Sequence, residues 1–230
     1  MKSIIEANNK LAKKVILVRL DLNVPLKNGR IIDTNRIDKI IPTLKFLMKN
    51  QARLILISHV GRPKGKIVES LSLKPICKNL SKQLNEPIKL LDKNIYKLNK
   101  KETFDTNDRK IVLLENIRFY LDEEKNDEKF ARHIASFGDL YVNEAFSCSH
   151  RSHATVSQIP KFVESYAGIL FKSEVDALNR ITKNIIKPVT CIIGGSKIST
   201  KIGIIENLIP KFDNIVIVGG MANTFIKFFG

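Results

Sequence analysis

The chain has 230 residues, enough for one large domain or for one domain and part of another. A hydrophobic content of 43% with 27% charged residues is ordinary for a globular protein. Lysine and arginine outnumber the acids by 39 to 23, but the lysines are scattered and no zinc-finger, RRM or leucine-zipper pattern accompanies them, so nucleic acid is not the expected partner. No apolar stretch approaches the roughly 20 residues of a membrane span, and the first ones are too short for a signal peptide, so we expect a cytoplasmic protein without a membrane partner.

Strand-like and helix-like patterns alternate through the first 170 residues. An apolar run at 15–18 predicts a strand, and apolar residues at three-and-four spacing between Ile37 and Met48 predict an amphipathic helix that Asp33 or Thr34 can cap. Further strands are predicted at 54–57, 111–114 and 140–142, further helices at 72–84 and 127–137, and a polar, irregular surface excursion at 92–110. This rhythm predicts a Rossmann-like three-layer α/β fold, a mostly parallel sheet with helices on both faces.

The rest of the chain predicts a connector and the start of a second domain. Residues 172–184 are predicted to form one helix, and two strand–helix units with glycine turns follow it. Two such units cannot cover both faces of a sheet. The predicted division is an α/β domain at 1–170, an interdomain helix at 171–187, and an incomplete second α/β domain at 188–230.

Polar or cationic segments follow the four strands predicted in the first domain. Arg19, Asp21 and Asn23 follow the first strand, His59 and Arg62 the second, Arg118 the third, and His150 and Arg151 the fourth. Because ligands of an open α/β sheet bind outside the carboxyl ends of its parallel strands, these segments predict one pocket for a small, multiply charged anion. Arg36, at a loop-to-helix junction, adds a further cation. Taken singly, such arginines are more often surface residues, so the prediction depends on their matching positions.

The other polar residues of these segments favour orientation of a ligand over acid–base chemistry. His59 and His150 can donate to a phosphate or a hydroxyl, and either can titrate near neutral pH. No Ser/His/Asp order and no paired carboxylates support hydrolysis. Asp21 and Asn23 would share one side of a strand end, where their oxygens suit a substrate hydroxyl. A turn-forming role before Pro25 explains these two residues equally well.

The second domain opens with a glycine turn that suits phosphate. Gly194-Gly195-Ser196-Lys197 follows a predicted strand and precedes a predicted helix, although it is not a Walker A loop. Lys197 and Lys201 are four residues apart, so the spacing predicts that both project from one helix face. After the next strand, Gly219-Gly220 could admit a flat base or ribose against bare backbone. Neither turn is specific by itself.

The three cysteines predict neither a disulfide framework nor a zinc site. Cys77, Cys148 and Cys191 are widely spaced and form no Cys-x-x-Cys pair. No metal-ligating residue is predicted in this chain.

In order along the chain, seven motifs resemble those of the phosphoglycerate kinase family. They are Arg-Leu-Asp-Leu-Asn-Val-Pro-Leu (19–26), Ser-His-Val-Gly-Arg-Pro-Lys-Gly (58–65), Glu-Asn-Ile-Arg-Phe (115–119), Val-Asn-Glu-Ala-Phe (142–146), His-Arg-Ser-His-Ala (150–154), Gly-Gly-Ser-Lys (194–197) and Gly-Gly-Met-Ala-Asn-Thr-Phe (219–225). The resemblance covers essentially the whole chain, and seven ordered motifs are a specific match.

The resemblance implies a glycolytic phosphotransferase of two α/β domains, with phosphoglycerate on the first and the nucleotide on the second. Such enzymes transfer a phosphoryl group reversibly between 1,3-bisphosphoglycerate and ADP, giving 3-phosphoglycerate and ATP, with Mg²⁺ bound to the nucleotide. By match to the motifs, the substrate-binding residues would be Asp21, Asn23, Arg36, His59, Arg62, Arg118 and Arg151. The nucleotide-binding residues would be Gly195, Ser196, Lys197, Lys201, Gly219 and Gly220. Arg36 and Lys197 would be catalytic, and a monomer is expected.

This sequence departs from the family pattern at several positions. Ser196 stands where alanine is usual, Thr200 where aspartate is usual, and Val218 where a third glycine is common. Ser147-Cys148-Ser149 replaces the commoner Gly-Thr-Ala. The family's chain also continues through the rest of a nucleotide domain, so we expect this chain to bind the glycerate without transferring a phosphoryl group.

Three classes of function make different predictions. An enzyme, or part of one, predicts selective binding of phosphoglycerate. A nucleic-acid module predicts binding with a steep salt dependence and little preference among small molecules. A pure interaction protein predicts neither.

Overall fold

The computed structural model describes residues 1–27, 29–104, 110–183 and 185–230 and divides into two compact units, Met1–Ser173 (unit 1) and Glu174–Gly230 (unit 2). The strands are β1 (Val15–Arg19), β2 (Leu26–Lys27), β3 (Arg30–Ile31), β4 (Arg53–Ile57), β5 (Ile88–Leu91), β6 (Ile111–Leu114), β7 (Leu140–Asn143), β8 (Ser165–Ala167), β9 (Thr190–Gly194) and β10 (Asn214–Val218). The α-helices are α1 (Asn35–Lys49), α2 (Lys74–Leu84), α3 (Lys100–Thr103), α4 (Leu121–Glu124), α5 (Glu128–Ala135), α6 (Ile169–Thr182), α7 (Ile202–Leu208) and α8 (Ala222–Phe229).

A parallel sheet forms the centre of unit 1. Within the described residues it has six strands in the order β5-β6-β4-β1-β7-β8, and every neighbouring pair is parallel. β1 lies between β4 and β7, where Ile16 pairs with Leu54 on one side and with Leu140 on the other. Its residues are buried on both faces, which is why the central strands are aliphatic runs without polar alternation.

Helices cover both faces of this sheet. Ile16 and Val18 of β1 pack on one face with apolar residues of α1 and α2. Leu17, which points to the opposite face, packs with apolar residues of α5. The predicted three-layer α/β fold is confirmed.

The edges of the sheet differ from the sequence-based expectation. β5 and β8 were not predicted, because β5 is a half-buried edge strand that contains Lys89 and β8 has only three residues. The predicted irregular excursion at 92–110 is wrong for its first part, where a 3-10 turn and α3 form and Ile95 and Leu98 enter the core. Residues 105–109 of that prediction lie outside the described residues.

The predicted helix at 172–184 is shifted in the structure. α6 begins at Ile169 and ends at Thr182, and residue 184 lies outside the described residues. Glu144 explains why α6 begins three residues earlier than predicted. Its carboxylate accepts hydrogen bonds from the backbone N–H groups of Leu170 and Phe171, both at 3.0 Å. A carboxylate at a helix N-terminus satisfies N–H groups that have no partner within the helix.

Unit 2 is a parallel pair of strands with short helices. β9 and β10 align with Ile193 opposite Ile217, and α7 and α8 follow them as predicted. Among the described residues of unit 2, only Ile193 and Met221 are buried apolar side chains.

Candidate functional site

The predicted anion-binding segments lie at one edge of the sheet of unit 1. They follow β1, β4, β6 and β7, which are consecutive in the sheet order and parallel. The carboxyl ends of parallel strands meet at the same edge, where open α/β sheets bind their ligands. The topology therefore delivers the four segments to one place.

Asp21 and Arg36 form an ion pair at this edge. Asp21 Oδ2 accepts hydrogen bonds from Arg36 Nη1 and from the hydroxyl of Ser147. Arg36 is half-exposed in the first turn of α1, where the carboxylate of Asp33, and not Thr34, accepts from the N–H of Asn35 at 2.8 Å. The loop-to-helix position predicted for Arg36 is confirmed.

Asp21 and Asn23 lie in a loop, and the prediction that they share one side of a strand end is wrong. β1 ends at Arg19, and the backbone N–H of Asn23 donates to Asp21 Oδ1 at 3.2 Å in a turn stabilised by the aspartate side chain. Asn23 Oδ1 accepts from the N–H of Gly61 at 2.9 Å. The turn-forming role is thus observed, and it fixes these side chains beside the loop that follows β4.

Gly61, in the loop after β4, contacts the segments that follow β1 and β6. Its positive φ of 65° suits glycine, and a Cβ there would lie 2.7 Å from Leu71 Cδ2. Its carbonyl accepts from Arg118 Nη1 at 2.9 Å. Arg62, the next residue, is exposed on the same loop.

Arg118 is a buried cation with two nitrogen atoms that lack hydrogen-bond acceptors in the described residues. It is 1% exposed, yet its Nε and Nη2 atoms have no hydrogen-bond partner in the described part of the chain. Glu124 lies 3.6 Å from Nε as a partial counter-charge. Burial, followed by the charge of Arg151, lowers the pKa of Arg118. Buried charged N–H groups are costly without acceptors, so this position favours an anionic ligand.

His59 is a neutral hydrogen-bonding residue, and the expectation that it titrates near neutral pH is wrong. It is 2% exposed, and burial, followed by the charges of Arg19 and Arg118, lowers its pKa to about 2. Arg19 Nη2 lies 3.0 Å from His59 Nδ1. Because arginine can only donate, Nδ1 must be the acceptor, and the ring carries its proton on Nε2.

The last segment carries Arg151 beside this cluster. Arg151 is half-buried, and its Nε donates to the exposed His150 at 3.4 Å. The charge of Arg151 lowers the pKa of both His59 and Arg118, so it contributes to the same positive field. His153 adds no charge to this field near neutral pH, because burial and the nearby arginines lower its pKa to about 4.

The sequence did not identify the buried acids behind the site. Glu123 and Glu144 are fully buried, and burial raises the pKa of each carboxyl group. Glu123 lies in the run Asp122-Glu123-Glu124, which is indistinguishable in sequence from a solvated helix start. The charged Arg19 within an otherwise aliphatic strand was the one available signal of a buried counter-charge.

In unit 2, the two glycine turns pack against each other. Met221 N donates to Gly195 O at 2.8 Å, and a Cβ on Gly219, which has a positive φ of 71°, would lie 3.3 Å from that same oxygen. A Cβ on Gly220 would lie 3.4 Å from Ser196 Cα. Close approach of the two backbones is therefore one reason for glycine at these positions.

The prediction that Lys197 and Lys201 share a helix face is wrong. Lys197 is extended and precedes a single 3-10 turn, Ile198–Thr200, and α7 begins only at Ile202. The hydroxyl of Thr200 donates back to Lys197 O at 2.9 Å, a local bond that favours this turn. Lys197 is exposed and Lys201 is half-exposed.

The described residues also bear on metals and membranes. Within them, no group of three or more His, Cys, Asp and Glu side chains is arranged to hold a metal ion. No helix in the described ranges has the length and apolar character needed to span a membrane.

Comparisons of sequence point to one family. A family model described as phosphoglycerate kinase matches residues 6–230. The chain is 45% identical over 220 residues to the phosphoglycerate kinase of Dictyoglomus turgidum, covering 96% of this chain and 55% of the relative. It is 41% identical over 214 residues to that of Pelotomaculum thermopropionicum, covering 93% and 54%. The chain thus spans about half the length of the curated relatives that it matches.

Comparisons of structure agree. Phosphoglycerate kinase from Coxiella burnetii matches with a TM-score of 0.85 and 37% identity, covering 94% of this chain and 55% of that one. The enzyme from Pyrococcus horikoshii OT3 also matches with a TM-score of 0.85, at 24% identity, covering 98% and 57%. The second likeness supports the fold alone.

Proposed function

The chain belongs to the phosphoglycerate kinase family, and we propose that it serves the reversible transfer of a phosphoryl group between 1,3-bisphosphoglycerate and ADP, which gives 3-phosphoglycerate and ATP. Unit 1 binds the phosphoglycerate in this proposal, and unit 2 contributes to binding the nucleotide. The observation that carries it is Arg118, a buried guanidinium whose Nε and Nη2 lack hydrogen-bond partners in the described residues. An anion with several oxygens would satisfy both.

The other polar residues of unit 1 divide the recognition of the glycerate. Arg62, Arg118 and Arg151 supply charge-assisted hydrogen bonds to phosphate or carboxylate oxygens. His59 supplies a neutral N–H donor from Nε2. The carboxylate of Asp21 and the amide of Asn23 provide acceptors for the hydroxyl, which simple phosphates lack.

The nucleotide phosphates are assigned to the glycine turns of unit 2. Gly195, Ser196, Gly219 and Gly220 expose backbone there, and Lys201 contacts the phosphates. In this proposal Mg²⁺ enters bound to the nucleotide substrate.

Catalysis in this proposal is positioning and charge neutralisation. We assign to Arg36 and Lys197 the stabilisation of negative charge on the transferring phosphoryl group, and no covalent intermediate with the protein is needed. Arg36 donates a hydrogen bond to Asp21, and an anion bound beside them would compete for this arginine. A cytoplasmic monomer without nucleic-acid or membrane partners remains our prediction.

Calorimetric titration of the purified chain tests the glycerate pocket. We expect 3-phosphoglycerate to bind more tightly than inorganic phosphate at both low and high salt. Arg118→Met should weaken binding about 10- to 100-fold, the value of one or two charge-assisted hydrogen bonds. Arg132→Met is the matched control, because Arg132 is exposed on α5 and lies outside the site.

Two results would count against the proposal. Equal affinity for 3-phosphoglycerate and inorganic phosphate would remove the selectivity. Binding that vanishes at high salt, with a response to single-stranded or duplex nucleic acid instead, would favour the nucleic-acid alternative.

A further inference from the structure

A fully buried arginine, Arg19, lies behind the anion site at the end of β1. Its Nε donates to Thr155 Oγ1 at 2.9 Å, and its Nη1 donates to the carbonyl of Leu20. Its Nη2 lies 3.0 Å from His59 Nδ1. The guanidinium is fully buried and its three nitrogens all have protein partners, so Arg19 acts on the site through the residues around it.

Glu123 supplies the negative charge near this arginine. Its Oε1 is 4.0 Å from Arg19 Nη2 and 3.9 Å from His153 Nδ1. Both Arg19 and Glu123 are fully buried. A buried guanidinium without a nearby acid would be strongly unfavourable, so Glu123 stabilises Arg19 in this position.

Thr155 joins the two charges and is itself held firmly. Its N–H donates to Glu123 Oε2 at 2.8 Å, and its hydroxyl donates to Glu123 Oε1 at 2.7 Å while accepting from Arg19. Its carbonyl accepts from the Tyr141 hydroxyl at 2.7 Å. Thr155 lies in a π-helical turn, Ala154–Gln158, a local geometry that is frequent near functional sites.

We propose that Glu123 and Thr155 are positioning residues, which hold Arg19 so that His59 keeps the neutral form with its proton on Nε2. The geometry leaves His59 no other tautomer as long as Arg19 donates to Nδ1. The site then gains a directional donor without a further positive charge beside Arg118 and Arg151. The tautomer of His59 does not depend on a ligand. The contribution of this tautomer to binding phosphoglycerate rests on the proposed function.

The first test is a spectroscopic one on the ligand-free chain. In the wild type at pH 7, nitrogen-15 NMR should show His59 with an unprotonated Nδ1 and a protonated Nε2. Glu123→Gln removes the counter-charge, and Thr155→Val removes the bridging hydroxyl, so both should shift the ring toward a mixture of tautomers. Thr155→Ser keeps the hydroxyl and should retain the wild-type spectrum.

Glu128→Gln is the control for the change of charge, because Glu128 is exposed on α5 and pairs only with Arg132 among the described residues. It should leave the His59 signals unchanged. If Glu123→Gln does not fold, the comparison of Thr155→Val with Thr155→Ser decides the question.

The second readout is affinity for 3-phosphoglycerate. Glu123→Gln and Thr155→Val should weaken it about tenfold, roughly the value of one hydrogen bond to a charged group. Glu128→Gln and Thr155→Ser should not weaken it.

Three results would overturn the inference. They are a wild-type His59 that is protonated on Nδ1, a folded Thr155→Val variant with the wild-type ring spectrum, and a loss of affinity in Thr155→Ser equal to that in Thr155→Val. If the spectra change as expected but wild-type protein does not bind 3-phosphoglycerate, the proposed function fails while the positioning role stands.

Discussion

Unit 1 and unit 2 use the same strand–helix repeat but differ in what the repeat encloses. In unit 1, β1 contributes side chains to two apolar clusters, one on each face of the sheet. In unit 2, β9 and β10 leave Ile192 69% exposed and Val216 43% exposed, and α8 leaves Phe228 82% exposed. A strand–helix repeat therefore specifies local structure, while a core requires enough neighbouring strands to enclose side chains.

The two units also differ in how they use charge. Unit 1 buries Arg19, Arg118, Glu123 and Glu144, and each of these side chains takes part in at least one hydrogen bond. Unit 2 buries no charged side chain among its described residues. Fixed charges in a core need little further ordering to face a ligand, so unit 1 is preorganised to hold the glycerate of the proposed function.

The largest expected difference between the units is in local stability. Backbone amides of β1 and β4 should exchange with solvent about a thousandfold more slowly than those of β9 and β10, because few buried contacts oppose opening in unit 2. Hydrogen–deuterium exchange by NMR measures both sets in one sample. Equal protection of β4 and β9 would contradict the comparison.

A matched pair of core truncations should show the next largest effect. Ile16 is fully buried in β1 and Ile192 is exposed in β9. Ile16→Ala should cost about 2–5 kcal/mol of the free energy of unfolding of unit 1, and Ile192→Ala less than about 0.5 kcal/mol in either unit. Tyrosine fluorescence in urea reports on unit 1, since all four tyrosines of the chain lie there, and circular dichroism in the same titration reports on both units. Similar costs for the two variants would show that unit 2 has a core of its own.

The smallest effect concerns pH and His59. The folded protein keeps this ring neutral, because its pKa is lowered to about 2, while the unfolded chain protonates below its ordinary pKa of 6.5. Between about pH 2 and pH 6.5 the unfolded state therefore binds more protons than the folded state. The contribution of His59 to the free energy of unfolding is fully present above pH 6.5 and falls as pH decreases, by up to about 1.4 kcal/mol per pH unit.

His59→Asn removes this dependence while keeping an acceptor for Arg19. The stability difference between wild type and His59→Asn should be about 1.4 kcal/mol less favourable to the wild type at pH 5.5 than at pH 7.5. Contributions from His153, Glu123 and Glu144 are common to both proteins and cancel to first order. A difference that does not change with pH would mean that His59 has the same pKa in the folded and unfolded states.

The central strands were predictable, and the edge strands were not. Residues of β1, β4, β6 and β7 form aliphatic runs, because both of their faces are buried. The pattern Ile-Lys-Leu-Leu of β5 carries a charge and is half-buried, so its strand character depends on pairing with β6. Strand pairing of this kind leaves no alternating hydrophobic pattern in the sequence.

The candidate site was predictable in position but not in protonation. The carboxyl ends of the strands located Arg118 and His59, since topology alone brings those loops together. The neutral state of His59 depends on Arg19 and on the depth of burial, which no spacing reveals. Glu123 became visible only through its contacts with Thr155.

The most direct test of the central claim, that unit 1 holds a selective phosphoglycerate pocket, is an NMR titration of the isotopically labelled chain with 3-phosphoglycerate. We expect saturable shifts of the amides at Asp21, Asn23, Gly61, Arg118 and Arg151, with no matching response to inorganic phosphate at the same concentration. Residues 190–230 should respond little, and Lys201→Met should leave the titration unchanged. Shifts concentrated in unit 2, or an equal response to inorganic phosphate, would contradict the account.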